Sequence, residues 1–306
     1  MERVIVTGGA GFLGQHLVAL LREKGIPEKH IFAPRSHQYD LRKQEDAERL
    51  FQDFPCDTVF HLATVTGGIG MMQQHPATVF HDNLLMNTHT LDAARKAGVK
   101  KFVAVGTGLI YPKGAPIPLR EDTIWDGLPH EITACYGIPA RALLTQCQAY
   151  RKEFGFNAIY VIPSNLYGPG DHFFNENPHV IPSLIRKFSE EKEVTLFGKG
   201  EATREFLYVE DAARALIFVA ERYDSPEPLN VGTGIATPIK EIAREIIALT
   251  SFKGTMRWDA AKPEGEKLRF FDSSKMKALG FAPKISLEDG LKETIDWYNA
   301  NKTHRH

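Results

Sequence analysis

The stretch Val4-Ile5-Val6-Thr7-Gly8-Gly9-Ala10-Gly11-Phe12-Leu13-Gly14 decides the fold. Its apolar opening reads as a buried strand. A glycine-rich turn then leads into a segment whose Leu13, Leu17, Leu20 and Leu21 share one helical face. Glycines at 8, 11 and 14 permit a tight turn, close backbone approach to a pyrophosphate and close helix–strand packing. The helix beyond them offers amide donors and partial positive charge to an anion at its start. A glycine pattern alone also describes an ordinary strand–helix turn; its place between strand and helix favours the binding reading.

Working outward, the same alternation continues to about residue 165. His30-Ile31-Phe32, Thr58 to Leu62, Phe102 to Val105 and Ala158 to Ile162 read as further buried strands. The segments 12–24, 43–53, 76–97 and 140–153 carry apolar residues at helical spacing. Strands alternating with helices predict a parallel sheet covered on both faces, so the fold class is α/β, a doubly wound Rossmann sheet. Residues 166–205 are rich in Gly, Pro, Asn and charge and read as a loop region that contacts substrate. Strand–helix alternation returns over 206–231, with a helix from Glu210 and a strand at Leu229-Asn230-Val231. The expected division is a dinucleotide-binding domain over 1–165 and 206–231. A smaller α/β lobe would then comprise 166–205 and 232–306.

The 306 residues are 43% hydrophobic and 25% charged, ordinary values for a soluble globular chain. A formal net charge of -1 gives no basic face for nucleic acid. No stretch approaches the roughly 20 apolar residues that cross a bilayer. Cys56, Cys135 and Cys147 are few, odd in number and not at metal-ligand spacing, so no metal is expected and a reducing cytoplasm fits. The tail Asn301 to His306 reads as a solvated end.

Enzymes that use NAD hold the ribose hydroxyls with a carboxylate at the end of the second strand. Here that strand ends Ala33-Pro34-Arg35-Ser36-His37, with no carboxylate. Arg35 and Ser36 suit a 2′-phosphate, which points to NADP, with NAD the alternative. Asp40 and Leu41 are placed to contact the adenine.

These residues resemble the extended short-chain dehydrogenase/reductase family, the NAD-dependent epimerases and dehydratases, and within it the GDP-L-fucose synthase branch. The matching pieces run nearly the whole length. They are Gly8 to Gly14, His61-Leu62-Ala63, Gly67-Gly68-Ile69, Ile110-Tyr111-Pro112, Tyr136 and Pro163 to Pro169. Further on come His179-Val180-Ile181-Pro182, Arg204-Glu205-Phe206-Leu207 and Asn230 to Gly234. The resemblance implies that Gly8, Gly11, Phe12, Leu13, Gly14, Leu62, Ala63, Thr64, Tyr136, Pro163 and Leu166 hold the cofactor. It implies that Asn165, His179, Lys187, Arg204 and Arg269 contact a nucleotide sugar. It also implies a homodimer through the helices at 76–97 and 140–153, whose apolar faces could equally pack on the sheet.

Three positions depart from the pattern. Thr107 stands where the family has a catalytic serine and keeps the hydroxyl. Leu109 stands where the fucose synthases have a cysteine that moves protons in epimerisation, and leucine carries none. His179, the other proposed epimerisation group, is kept; it also reads as a structural histidine between Pro178 and Pro182. Ala140 stands where the family's lysine bonds the nicotinamide ribose and lowers the pKa of Tyr136. Arg141 is no substitute, since position i+5 lies about 140° from Tyr136 around a helix while i+4 lies about 40° away. Pro139 in the same turn suggests that the helix begins late or bends.

The expected activity is NADP(H)-dependent reduction of a 4-keto nucleotide sugar, impaired by Ala140, with Tyr136 as proton donor and Thr107 as hydroxyl partner. A natural lineage that dropped the lysine and a deliberate replacement both yield this sequence. A 4-epimerase with tightly bound NAD is one alternative, which the missing carboxylate near Arg35 counts against. A non-catalytic dinucleotide or sugar-nucleotide binder is the other. A 4,6-dehydratase is disfavoured because Thr107-Gly108-Leu109 lacks the acidic pair that eliminates water.

Overall fold

The computed structural model describes residues 1–174, 178–262 and 268–302; the end of the tail, 303–306, lies outside them. The first half alternates strand and helix as its apolar pattern predicts. It runs β1 (Val4–Thr7), α1 (Phe12–Glu23), β2 (Ile31–Phe32), α2 (Gln44–Asp53), β3 (Thr58–His61), α3 (Ile69–Gln74) and α4 (Pro76–Lys96). Next come β4 (Lys101–Val105), α5 (Ala134–Phe154) and β5 (Ala158–Pro163). The region read as loop holds β6 (Asn165–Tyr167), α6 (Val180–Glu190), β7 (Glu193–Phe197) and β8 (Thr203–Arg204). Then follow β9 (Phe206–Tyr208), α7 (Val209–Arg222), β10 (Leu229–Val231), β11 (Thr237–Pro238), α8 (Ile239–Thr250) and β12 (Thr255–Asp259). Last are β13 (Leu268–Arg269), α9 (Ser274–Ala278) and α10 (Leu287–Asn301).

The main sheet has six parallel strands in the order β10-β5-β4-β3-β1-β2. Successive side chains of a strand point to opposite faces. Ile5 and Phe102 therefore join one apolar cluster with Leu50, Leu91 and Leu143, on the side of α2, α4 and α5. Val4, Val6 and Val103 join the other with Leu17, Leu21 and Leu216, on the side of α1 and α7. Most of these side chains are wholly buried, and each such leucine or valine stabilises the fold by about 1.5–3 kcal/mol. The strand order reverses at β1, which pairs with both β2 and β3. In open α/β sheets, ligands bind in the crevice beyond the carboxyl ends of the strands at that point, which is where the Gly8–Gly14 turn emerges.

A third cluster packs α6, α8 and α10 through Ile181, Leu184, Ile185, Ile242, Ile246, Leu291 and Ile295. The apolar face of α6 explains why 166–205 is not all loop: the polar flanks conceal one buried stripe.

The other departure is at α5, which starts at Ala134, ahead of Tyr136, and carries Pro139 inside it. An interior proline costs a helix ~3 kcal/mol through a lost amide and a steric clash. Tertiary contacts offset it here. Arg141 donates from Nε to Ile110 O (2.8 Å) and from Nη1 to Gly127 O (2.7 Å), and the Tyr160 hydroxyl donates to Ala140 O (3.0 Å). A Cβ at Gly137 would lie 2.5 Å from Leu109 O, so only glycine lets α5 rest this closely on the Thr107–Ile110 turn.

Candidate active site

The turn after β1 is shaped by its glycines. Gly8 has φ +69, and a Cβ on it would lie 2.8 Å from Ala63 N and Leu62 C at the end of β3. Gly11 is the N-cap of α1 and brings no capping side chain, and the first turn contains no acidic residue. The early amides of α1 therefore face no competing carboxylate, which fits an anionic pyrophosphate. Gly14 packs against the turn itself: its Cβ would lie 2.3 Å from Gly8 O. Phe12 stands edge-on to His16 and His172, and Leu13 packs on the α1–α7 side of the sheet.

Beyond β2, Arg35 and Ser36 are exposed. A turn holds the Arg35 backbone, with Arg35 N donating to Gln38 Oε1 and Arg35 O accepting from Gln38 N and Tyr39 N. An exposed guanidinium with no neighbouring carboxylate in the loop fits a 2′-phosphate. Asp40 and Leu41, expected at the adenine, follow in the same loop. The Asp40 carboxylate accepts from Arg42 Nε (2.8 Å) and Nη2 (2.9 Å), and Arg42 also bridges to Asp82. The Leu41 side chain is buried in the core.

The catalytic candidates meet beside the Gly8–Gly14 turn, at a cavity that shares Ala63 with it. Tyr136, Thr107, Ala140, Ala63 and Thr64 all line one small cavity with Asn83, Asn87 and Tyr160. Thr107 caps the Gly108–Ile110 turn, its hydroxyl accepting from Leu109 N (3.2 Å). Leu109 is half-buried there and offers no proton. Pro163 ends β5, and Leu166 follows in β6.

Hydrogen-bond polarity in this cluster follows from Asn83. Its Nδ2 donates to Val65 O and Val79 O (2.7 Å each), so its Oδ1 can only accept, and it takes Val65 N (2.9 Å). The Thr64 hydroxyl, 2.8 Å from that Oδ1, gives its proton to it. Thr64 therefore accepts from the Tyr136 hydroxyl 3.1 Å away. Burial lifts the Tyr136 pKa above its ordinary value, against the hydroxyls of Thr64 and Thr66. Thr64 opposes the rise only by turning its proton from Asn83 to the phenolate. Tyr136 is thus a neutral phenol at pH 7, armed as a donor. Beneath it, buried His61 bridges Thr7 (2.8 Å) and Asn87 (3.0 Å), and burial lowers its pKa to about 4, so it is neutral.

On the substrate side, β8 and β13 pair in parallel with Arg204 opposite Arg269. The Arg269 guanidinium reaches Gly108 O, which ties this pair of cations to the Thr107 turn. Glu205, 1% exposed, holds the arrangement: its carboxylate accepts from Gly234 N (2.7 Å), Phe271 N (2.8 Å) and Thr233 Oγ1 (3.3 Å). The Glu205 carbonyl accepts from Asn165 Nδ2 (2.8 Å). Lys187, expected to join the arginines, donates to Thr195 O (3.4 Å). Phe197 is exposed, under the Lys262 ammonium.

Glu205→Gln should therefore do more than remove a charge. Oε1 and Oε2 each face an N–H, and an amide meets one of them with a second donor. We expect destabilisation of about 2–3 kcal/mol in urea, the cost of a buried unsatisfied group. KM for a nucleotide sugar should rise with NADPH affinity unchanged; equal stability and KM would contradict this role for Glu205.

His179 is the N-cap of α6, with its side chain 64% exposed. Its Nδ1 lies 3.9 Å from Oδ1 of Asp171, whose side chain is fully buried and whose Oδ2 has no partner among the described residues. Burial raises the Asp171 pKa to about 6. Unfolded, this carboxyl ionises near 3.8, so its ionisation opposes folding; the cost is absent below that pH and complete above 6. We expect Asp171→Asn to stabilise the chain by about 3 kcal/mol at pH 8 and by nothing at pH 4, at roughly 1.4 kcal/mol per pH unit. Thermal unfolding across that range checks it, and a gain independent of pH would refute it.

Sequence reading does not single out Thr66, Asn83, Asn87, Tyr160 or Asp171. For Asn83 and Asn87 a signal exists: polar residues one turn apart on the buried face of α4.

A glycine cradle at the switch point of a parallel sheet, with a tyrosine and a threonine hydroxyl beside it, defines an extended short-chain dehydrogenase/reductase. The chain belongs to the NAD dependent epimerase/dehydratase family, whose profile matches residues 4–232. GDP-L-fucose synthase 1 of Arabidopsis thaliana is 38% identical over 309 residues, covering 99% of this chain and 95% of that one. Among solved structures, a GDP-6-OMe-4-keto-L-xylo-heptose reductase from C. jejuni superposes with TM-score 0.91 at 25% identity, covering 98% of both chains. A GDP-L-fucose synthetase from Naegleria fowleri bound to NADP gives TM-score 0.89 at 26% identity, covering 99% of this chain and 95% of that one.

Proposed function

We propose that this chain is an NADP-dependent reductase of GDP-4-keto-6-deoxy sugars, with Tyr136 the proton donor and Thr107 its hydroxyl partner at the sugar's 4-oxygen. The observation that carries the reading is the convergence of Tyr136 and Thr107 on one cavity, with the Arg204–Arg269 pair tied to the same turn. The GDP-sugar relatives and the NADP-bound neighbour support the substrate class and the cofactor.

The Gly8–Gly14 turn would hold NADPH, with Arg35 and Ser36 at its 2′-phosphate, and when bound NADPH would supply the hydride for the sugar's 4-carbon. The chain supplies the rest. Arg204 and Arg269 neutralise the sugar's diphosphate, with arginine offering forked hydrogen bonds. Tyr136 gives its proton to the developing alkoxide. Thr64, freed of the phenol's hydrogen bond, turns its own proton to the phenolate. With Leu109 in the cysteine position and His179 exposed on α6, reduction is the step this site favours over epimerisation. We infer a homodimer in the cytoplasm, formed through α4 and α5, whose exposed Phe80 and Phe154 are available for such an interface. No helix among the described residues is long and apolar enough to cross a membrane.

Ala140 and Leu109 together favour one second reading, a binder of dinucleotide and nucleotide sugar that does not turn over. Oxidation of NADPH and of NADH with GDP-, UDP- and TDP-4-keto-6-deoxy sugars separates the two. The reductase reading requires turnover with the GDP sugar and a preference for NADPH. Tight binding of both ligands with no turnover, persisting in Ala140→Lys, would establish the binder.

A further inference from the structure

We propose that His16 is a positioning residue for the dinucleotide: its bond to Pro169 holds Gly168–Asp171 as a strap across the first turn of α1, and the opening of that strap sets how fast NADPH and NADP exchange. The inference rests on the reading of the Gly8–Gly14 turn as a dinucleotide site.

The strap meets α1 at two points. His16 stands one helical turn beyond Phe12, so the two share a face of the helix. Its Nε2 lies 2.8 Å from Pro169 O, a contact between residues 153 positions apart. A carbonyl only accepts, so this nitrogen carries a proton and donates it. The His172 ring stands edge-on to Phe12, with centroids 6.5 Å apart. The segment therefore runs beside the end of α1 whose amides have no helical partner, the end that receives an anion.

Both ends of the strap are fixed, and its middle can pivot. Upstream, β6 pairs with β9, and Asn165 Nδ2 donates to Glu205 O. Downstream, Phe173 is buried against Trp297 and Tyr298, and Arg186 Nη1 donates to Phe173 O (3.1 Å). Between these anchors Gly168 and Gly170 flank Pro169 with φ of +152 and +82, a region that glycine enters and leaves at little cost. A Cβ on Gly170 would meet nothing within 4 Å, so the middle has open space to lift into. Among the described residues, the bond from His16 is the hydrogen bond that joins this middle to α1.

A dinucleotide seated on the α1 amides exchanges with solvent when the strap lifts. The tie from His16 is made with the site empty and needs no ligand, so it closes the free and loaded forms alike. Breaking it raises the open fraction of both, which speeds entry and exit together and leaves the affinity unchanged. A side chain that touched the ligand, or merely supported the fold, would change the affinity instead.

Stopped-flow fluorescence with NADPH, and displacement of NADP, supply both rate constants. In His16→Ala we expect association and dissociation each to rise about fivefold at equal Kd, the factor that one net hydrogen bond carries. His16→Gln, which keeps an N–H donor on the side chain, should return both rates toward those of the parent. Gly170→Ala touches nothing but strains the closed backbone, so it should speed both steps by a like factor, and it decides the matter if His16→Ala does not fold. Unchanged rates in these variants would overturn the strap and leave the dinucleotide reading standing. Weaker binding at an unchanged association rate would also overturn it, because His16 would then act on the bound ligand. If the unaltered chain binds no NADPH, the dinucleotide reading fails and the strap falls with it.

Discussion

Ala140→Lys should raise kcat/KM for reduction by about a hundredfold or more, the cost that about 1 Å of misplacement at a reacting centre commonly carries. The lysine stem enters the cavity between Asn83, Thr107 and Tyr160, and its ammonium end comes to lie beside Tyr136. Two separable effects follow. One is a hydrogen-bonded anchor for the nicotinamide ribose, which acts in both directions. The other is electrostatic: a cation within a few ångströms lowers an acid's pKa by roughly 1–3 units. In this chain nothing opposes the rise that burial imposes on Tyr136 except the Thr64 and Thr66 hydroxyls. At pH 7 the phenol is neutral at the start of either direction and a catalyst leaves the overall equilibrium unchanged, so kcat/KM for oxidation should rise by the same factor as for reduction. The electrostatic effect shows instead as a lower pKa in the pH profile of oxidation, which needs the phenolate. Measuring both directions over pH 6–9 separates the contributions. An unmoved pH profile leaves only the anchor, and no gain in either direction contradicts the role assigned to position 140.

Gly14→Ala should weaken NADPH binding by about a hundredfold or more, which corresponds to losing one or two charge-assisted hydrogen bonds. The added methyl would meet Gly8 O at 2.3 Å, Gly9 Cα at 2.6 Å and Gly9 C at 2.8 Å. All three are backbone, with no flexible side chain to swing away, so the turn itself must move. It is pinned from below, where Gly8 lies against Leu62 and Ala63, and by the Gly11 N to Gly8 O bond of 2.9 Å. The amides that would face the pyrophosphate shift with it. Overpacking of this kind also costs about 1–3 kcal/mol of stability. Fluorescence titration with NADPH, beside urea unfolding, tests the pair of effects. An unchanged NADPH affinity would mean that this turn does not hold the phosphates.

Much of the fold is legible because a parallel sheet buries both faces of its strands. Val4 to Val6, Phe102 to Val105 and Ala158 to Ile162 stand out as apolar runs for that reason, and the helices between them keep one apolar stripe. Where the molecule departs from the local pattern, tertiary contacts have overruled a local rule. Pro139 suggests a late helix start, but Arg141, Gly137 and the Tyr160 hydroxyl fix α5 from Ala134 onward. Residues 166–205 look like loop because their polar flanks outweigh the single buried stripe of α6.

By itself the sequence determined the glycine turn after β1, the run Ala33 to His37 without a carboxylate after β2, the position of Tyr136 and the alanine four residues on. Each is a matter of which chemical group a residue carries and how far along the chain it stands from the last. Only the tertiary structure decided that Arg204 faces Arg269 across two short strands and that Asn83 sets the direction of the Tyr136 proton. Those facts depend on strand register and on where distant hydrogen-bond donors point. Such matters are settled by the packing of the whole core, and no local spacing encodes them.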